Sequence, residues 1–136
     1  MPTRVAILIR NLLTGGAERT CCLLAGGLAR RGHQVSIVTL DGPHRPAYPL
    51  DGAVRLVHLD ACWLRRTPVQ TVLRNLARVR SIRRTLQELA PDVVVGFMTE
   101  QNVLAVLSTR VFDRLPCRVV LAERVHPALH NLAGFA

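Results

Sequence analysis

The chain has 136 residues, of which 49% are hydrophobic, and a formal net charge of +9. This length suits one domain with a real core, and the hydrophobic content argues against disorder. The charge comes from 18 arginines without a single lysine, and it favours anionic partners such as phosphates or acidic lipid surfaces. Aromatic residues make up only 4% and do not alternate with basic ones, which argues against a nucleic-acid partner.

The first predicted element is a strand from Arg4 to Ile9, whose apolar run shows no polar alternation. Such a run is typical of a parallel sheet that is covered on both faces. A loop, the pair Gly15-Gly16 and a helical pattern that reaches Arg31 follow. Glycines at this junction permit a sharp turn and let a ligand approach bare backbone N–H groups. We therefore predict that Gly15 and Gly16 hold a diphosphate or a sugar; the alternative is a turn that only packs helix on strand.

Four more strands and two more helices give the order β-α-β-β-α-β-α-β, which favours an α/β fold with a parallel, helix-flanked sheet. The strands are predicted at 34–40, 54–59, 92–96 and 118–122, and the helices at 68–90 and 102–110. Helix 68–90 is rich in arginine, which is either a surface for anionic membranes or an ordinary solvated face. Its predicted buried stripe is Val69, Val72, Leu76, Val79, Ile82, Leu86 and Leu89.

Polar side chains follow the fourth and fifth strands, at the edge of the sheet where Gly15-Gly16 also lie. Glu100 and Asn102 come after the fourth strand, and Glu123, Arg124 and His126 come after the fifth. We expect them to converge on one site, in which His126 could act as an acid or base near neutral pH. The alternative is structural, with Asn102 as a helix N-cap and Glu123–Arg124 as a local ion pair.

Several other kinds of site are disfavoured. A dinucleotide fingerprint needs further glycines where Ala17, Glu18 and Arg19 stand, so a nicotinamide-dependent oxidoreductase is the weaker enzyme hypothesis. The lack of lysine excludes a Walker loop. Cysteines show no metal or disulfide spacing, so we expect reduced thiols: Cys21, Cys22, Cys62 and Cys117. No stretch approaches the ~20 apolar residues of a spanning helix, which predicts a cytoplasmic protein, at most peripheral to a membrane.

The sequence resembles the N-terminal domain of retaining GT-B glycosyltransferases of the family 4 type, over nearly the whole chain. The most specific part is Leu-Thr-Gly-Gly-Ala-Glu-Arg at 13–19. Further similar stretches are Ala-Arg-Arg-Gly-His-Gln-Val at 29–35, Ser-Ile-Val-Thr-Leu at 36–40, Pro-Asp-Val-Val-Val-Gly-Phe-Met at 91–98, and Leu-Ala-Glu-Arg at 121–124.

The resemblance implies a Rossmann-like domain, 1–136, that forms the acceptor side of a two-domain bacterial enzyme of surface polysaccharide or glycoconjugate synthesis. The donor-binding domain would lie outside this chain. Gly15 and Gly16 would approach the diphosphate and sugar of a nucleoside-diphosphate sugar, and no metal or other cofactor is expected. The acceptor, a glycan or a lipid-linked glycan, would lie near Glu100, Asn102, Glu123, Arg124 and His126.

The catalytic residue is left open by this resemblance. Many members of the family carry a histidine at the edge where this chain has Phe97, Thr99, Glu123 and Arg124, and His126 is the one candidate to replace it. The non-enzymatic alternative is a standalone binding or membrane-recruitment module that uses its arginine face.

Overall fold

The computed structural model describes residues 1–59 and 67–124. The predicted α/β order is confirmed, with most boundaries shifted by no more than a residue. The elements are β1 (Arg4–Ile9), α1 (Gly16–Arg30), β2 (Gln34–Thr39), β3 (Arg55–His58), α2 (Pro68–Leu89), β4 (Val93–Phe97), α3 (Thr99–Arg110) and β5 (Arg118–Ala122).

The five strands form one parallel sheet in the order β3-β2-β1-β4-β5. β1 lies at the centre and pairs with β2 on one side and with β4 on the other, with Ile7 opposite Ile37 and Val95. The chain moves outward from β1 to β3 and then returns to β4. The order of strands therefore reverses between β1 and β4, which is where open α/β sheets form a ligand-binding crevice.

Both faces of the sheet are covered, as the unbroken apolar run of β1 predicts. Val5, Ile7 and Ile9 pack on one face, in a core that includes Cys21 and Ala25 of α1. The alternate residues of β1 pack on the opposite face with α2 and α3, in a core that includes Ala6, Leu8, Ile82, Leu86 and Leu104. The period of two along a strand thus sends successive side chains of β1 into two separate cores.

The predicted buried stripe of α2 is wrong for the first half of the helix. Val79, Ile82 and Leu86 are buried, whereas Val69 and Val72 are 69% and 60% exposed, and Leu76 is also exposed. Burial in α2 begins only at Arg78 and Val79, at the level where Arg78 meets Glu100 of α3. A helical hydrophobic period shows which side chains share a face, but it does not show whether another element lies beneath them.

α3 begins three residues earlier than predicted. It starts at Thr99, so Glu100 and Asn102 lie in its first turn and Asn102 is not the N-cap. The turn sits directly on β4: a methyl group added at Gly96 would lie 2.6 Å from Asn102 Oδ1 and 2.9 Å from the Asn102 Cα. Gly96 therefore permits the close approach of α3 to the centre of the sheet.

The expectation of reduced cysteines holds for the three in the described residues: Cys21, Cys22 and Cys117 are free. Burial, followed by the neighbouring Cys22 and Glu18, raises the pKa of the Cys21 thiol to about 12. A thiol with so high a pKa is unreactive at neutral pH. Cys62 lies outside the described residues.

Arg4, at the start of β1, is bound to Asp92, which directly precedes β4, at the edge of the sheet away from Gly15-Gly16. Arg4 Nη2 donates to Asp92 Oδ1 at 3.1 Å, and the Arg4 backbone N–H donates to Oδ2 at 2.8 Å. The side-chain bond and then the backbone bond lower the pKa of Asp92. Because the folded-state pKa is below the unfolded value of about 3.9, this carboxylate stabilises the fold above that pH.

We expect Asp92→Asn to lower the free energy of unfolding at neutral pH and to flatten its fall in acid. The stabilisation is lost as the pH drops through the folded-state pKa, and an amide has no such titration. Urea denaturation at a series of pH values from neutral to acid measures this profile. An unchanged acid limb in Asp92→Asn would contradict the assignment.

Candidate functional site

The site lies at the carboxyl ends of β1 and β4, on the two sides of the strand-order reversal. The loop between β1 and α1 brings the glycine pair to this edge, and the turn between β4 and α3 faces it. Both are connections that follow central, buried strands, so their backbone positions are fixed by the sheet. This is the edge at which the sequence predicts a ligand site.

Gly15 is the N-cap of α1 and has an extended backbone. A methyl group added there would overlap Glu18 Oε2 and lie 2.9 Å from Glu18 Cδ, so the carboxylate of Glu18 lies directly over Gly15. The Gly15 N–H donates to the hydroxyl of Tyr48 at 3.2 Å. The backbone donor of Gly15 is thus already occupied within the chain, and the positive end of the helix already faces a carboxylate.

Gly16 is the first residue of α1 and is exposed. A methyl group added at Gly16 would meet nothing within 4 Å. Among the described residues, no side chain caps the N-terminus of α1 with a hydrogen bond. Gly16 therefore presents the open face of the loop, on which a ligand could approach the backbone.

The glycine loop is braced by the segment that follows β2. The Leu12 N–H donates to His44 Nε2 at 2.8 Å, and the Ala47 N–H donates to the Leu12 carbonyl at 2.9 Å. The carboxylate of Asp41 accepts a hydrogen bond from Asn11 Nδ2 at 2.8 Å. Together with the bond from Gly15 to Tyr48, these bonds connect residues 11–15 to the segment 41–48.

His44 and His58 are half-buried within this brace. Nδ1 of His44 faces the Gly42 carbonyl at 2.9 Å, so this nitrogen carries the proton while Nε2 accepts from Leu12. The ring of His58 lies 5.0 Å from that of His44, and its Nδ1 contacts Thr39 Oγ1 at 2.6 Å. Burial, and then His44, lower the pKa of His58, which favours the neutral form of the His58 ring.

Met98 joins β4 to α3 in a strained conformation. Its φ of +77° and ψ of 160° lie in a region that is essentially restricted to glycine. The strand and the helix hold it there, because its N–H donates to the Ala122 carbonyl at 2.9 Å and its carbonyl accepts from the Asn102 N–H at 2.9 Å. The turn that faces the glycine loop therefore stores backbone strain.

We expect Met98→Gly to raise the free energy of unfolding by about 1 kcal/mol. Relief of such strain stabilises by ~1–3 kcal/mol, and glycine offsets part of this gain because it increases the entropy of the unfolded chain. Met98→Ala is the matched control, because it removes the same side chain but keeps the strain. Denaturation of the three proteins measures the difference. Equal stability of the glycine and alanine variants would contradict the strain.

Arg124 and Glu123 follow β5 and lie at the same edge. Arg124 Nη2 donates to Thr20 Oγ1 at 3.1 Å, which connects the end of β5 with α1. Glu123 Oε2 accepts from Thr99 Oγ1 at 2.8 Å, and its Oε1 accepts from the Arg124 N–H. The structure thus brings Arg124 to the glycine loop, while Glu123 is bound to the start of α3.

Glu100 and Asn102 are directed elsewhere. Glu100 Oε1 lies 3.3 Å from Arg78 Nη1 of α2, so its carboxylate faces the side of the sheet opposite α1. Arg78 is only 6% exposed, although the sequence suggests a solvated position. Burial lowers the pKa of Arg78, and Glu100 opposes that effect. Asn102 is buried, and its Nδ2 approaches the Ala122 carbonyl at 3.4 Å.

A cleft of about 630 Å³ separates α1 from the ends of β4 and β5. It is lined by residues 16–20, Leu23, Met98 and Arg124. Its volume is within the range of small-molecule sites, and Arg19 and Arg124 place two positive charges at its walls against the single carboxylate of Glu18. The arrangement suits an anionic ligand such as a diphosphate.

Tyr48 and Met98 are the features of this site that local sequence patterns do not reveal as functional. Tyr48 lies in a proline-rich loop, and nothing near it in sequence indicates its bond to Gly15. Met98 has a positive φ although it is not a glycine, so the sequence does not indicate its conformation. His126, the candidate catalytic residue, lies outside the described residues.

Within 1–59 and 67–124, no group of three histidine, cysteine or acidic residues is arranged to hold a metal ion. None of the helices in these ranges has the length and apolar character needed to cross a membrane.

Comparison with known proteins identifies the domain. The family model for Glycosyltransferase Family 4 matches residues 14–123. Among solved structures, the chain is similar to CalG4, the calicheamicin glycosyltransferase, with 21% identity and a TM-score of 0.49. That similarity covers 99% of this chain and 34% of the other, so the chain spans about a third of its length. No curated protein matches the chain. Because the family match extends over well more than half of the residues, the chain belongs to glycosyltransferase family 4.

Proposed function

We propose that this chain is the acceptor-side domain of an enzyme that transfers a sugar, with retention, from a nucleoside-diphosphate sugar to a glycan or lipid-linked acceptor. The observation that carries the proposal is the family match over residues 14–123, which includes both the glycine loop and the end of β5. The cleft between these two segments supports it, since its size and its arginines suit a sugar diphosphate.

The diphosphate would lie against the N-terminus of α1. As the bond between the sugar and the diphosphate breaks, negative charge grows on the leaving group, and fixed positive groups favour that state. Gly16 leaves the backbone open for close approach, and Arg124 stands across the cleft. Gly15 would act differently, because its N–H is held by Tyr48 and its contribution is to shape the loop.

The acceptor would bind along the same edge, beside Glu100, Asn102, Glu123, Arg124 and His126. Their contacts suggest that these residues would contribute to acceptor binding in different ways. Glu123 and Arg124 are both exposed, and Arg124 lines the cleft, whereas buried Asn102 would act by holding β5 against α3. Glu100 and Arg78 would contribute from the α2 side. His126 remains the candidate for the catalytic group, and the reaction would require no metal or other cofactor.

The enzyme would need a second domain that binds the nucleotide, either beyond this chain or in a separate polypeptide. The walls of the cleft, α1 and the ends of β4 and β5, would face that domain. We place the reaction at the cytoplasmic side of a bacterial membrane, in surface polysaccharide or glycoconjugate synthesis.

The test is a transfer assay on the whole protein that the reading frame encodes. A panel of uridine- and guanosine-diphosphate sugars is offered with glycan and lipid-linked acceptors, and release of nucleoside diphosphate is measured. We expect release that depends on the acceptor, and a product whose anomeric configuration by NMR equals that of the donor. Inverted configuration would overturn retention, and absence of transfer with every pair would favour a binding module.

A further inference from the structure

Thr20 lies one helical turn beyond Gly16 in α1, on the wall of the cleft, and its hydroxyl has two partners. Thr20 Oγ1 donates to the Gly16 carbonyl at 2.8 Å. It also accepts a hydrogen bond from Arg124 Nη2 at 3.1 Å. A hydroxyl has a single proton to donate, so the bond to Gly16 leaves the lone pairs of Oγ1 to accept from the guanidinium.

The backbone of Arg124 is held separately from its side chain. Its N–H donates to Glu123 Oε1 at 3.1 Å, and Glu123 Oε2 accepts from Thr99 Oγ1 at 2.8 Å. Thr99 is the first residue of α3. A chain of polar contacts thus runs from the start of α3, through the end of β5, to α1, and the Arg124 guanidinium joins it to Thr20.

Thr20 is well suited to restrain this arginine. Arg124 is exposed, and a long side chain in water has many rotamers of similar energy. A bond to a fixed partner on α1 selects the rotamers that extend across the cleft. Thr20 is such a partner, because its β-branched side chain is stiff about χ1 and its hydroxyl is already held by the Gly16 carbonyl.

We propose that Thr20 is a positioning residue, which holds the Arg124 guanidinium in the cleft so that it contacts the anionic part of the ligand. Arginine has five N–H donors in a planar fork, and the bond to Thr20 uses one of them. The other donors suit phosphate oxygens, which guanidinium groups bind through two parallel hydrogen bonds. Arg19 lines the same cleft and adds a second positive charge.

The alternative is a threonine that serves only its own helix. Threonine hydroxyls in helices bond to the carbonyl four residues back, and that contact alone would account for Thr20. Thr71 provides this case in the same chain, because its Oγ1 donates to the Thr67 carbonyl at 3.2 Å in the first turn of α2. α2 packs on the opposite face of the sheet from α1. Comparison of the two threonines therefore separates the bond to Arg124 from the bond to the helix.

The use of this contact in sugar transfer rests on the proposed function, so the first readout is transfer by the whole enzyme. We expect Thr20→Val to lower kcat/KM roughly tenfold, which is the effect of one hydrogen bond to a charged group. Thr20→Ser keeps the hydroxyl and should recover most of this loss. Thr71→Val should transfer like the native enzyme. In an Arg124→Met background, Thr20→Val should have no further effect, because the threonine acts only through the arginine.

The second readout does not require transfer. Inorganic pyrophosphate is titrated into the chain at constant ionic strength, and binding is followed by NMR of the backbone amides. We expect changes in the signals of Gly16 and Arg124. The affinity should fall severalfold in Thr20→Val and stay at the native value in Thr71→Val. Circular dichroism checks that every variant is folded.

Three results would overturn the proposal. One is equal loss from Thr20→Val and Thr71→Val, which would mean that only the bond within the helix matters. Another is additive loss from Thr20→Val and Arg124→Met, which would mean that the two residues act independently. The third is pyrophosphate binding that is the same in Thr20→Val and the native chain, or absent from both. If binding depends on Thr20 while no pair of donor and acceptor reacts, the proposed function fails and the positioning role stands.

Discussion

Gly96→Ala is expected to destabilise the protein by about 3 kcal/mol or more, because overpacking of a closely packed site costs ~1–3 kcal/mol and here the neighbours are backbone. The added methyl group would lie 2.9 Å from the Asn102 Cα and 3.0 Å from the Gln101 carbonyl oxygen. A side chain can rotate away, but these atoms move only if the whole of α3 moves. Gly96 lies near the end of β4 and is paired with Leu8 of β1 on one side and with Leu121 of β5 on the other, which opposes a shift of the strand.

Gly27→Ala is the matched control for this prediction. A methyl group added at Gly27 meets nothing within 4 Å, and alanine in a helix is favoured over glycine by up to about 1 kcal/mol. Denaturation should therefore show a large loss for one glycine and a small gain for the other. A loss of less than about 1 kcal/mol at Gly96 would mean that α3 yields more readily than close packing allows.

Gly16→Val is expected to abolish sugar transfer in the whole enzyme while leaving the fold intact. The fold tolerates the change because an added Cβ at Gly16 points into open space at the cleft. The two further methyl groups of valine would stand where a diphosphate must approach the N-terminus of α1. If the glycine loop stabilises the leaving group, loss of one such contact costs a factor of about 10²–10³ in rate, and exclusion of the ligand costs more.

Gly27→Val provides the control within the same helix. It makes the same chemical change, on the same element, at a site that also has free space but is away from the cleft. We expect it to retain transfer. Turnover at the native rate in Gly16→Val would remove the glycine loop from the mechanism, and equal loss in both variants would indicate a general effect of valine in α1. Thermal unfolding of both variants distinguishes a general loss of stability from a specific effect at the cleft.

The parts of this fold that sequence predicts are those set by local patterns. The unbroken apolar run of β1 predicts a strand covered on both faces, and its residues do enter two cores. Gly15-Gly16 predicts a strand-to-helix junction, and α1 begins at Gly16. In each case the signal and the structure involve the same few consecutive residues. Residues outside these segments have little influence on the structure that the segments adopt.

The parts that sequence does not predict depend on what lies beneath or opposite a segment. Val69, Val72 and Leu76 of α2 have the period of a buried face, yet they are exposed. Asn102 is of a residue type that is favoured at helix N-caps. The helix nevertheless begins at Thr99, and Asn102 lies inside its first turn, in contact with Gly96 and Ala122. Tyr48 reaches Gly15 over 33 positions of sequence, so no window along the chain contains both partners.

The brace behind the glycine loop has a consequence for how a ligand would be bound. Tyr48 and His44 hold Gly15 and Leu12 from the side away from the cleft, so the loop is already in place before any ligand arrives. The loss of conformational entropy that orders the loop occurs during folding, so it does not weaken the binding of a ligand. Association at this wall should therefore proceed without a slow rearrangement, and any gating step in turnover would originate in other parts of the enzyme.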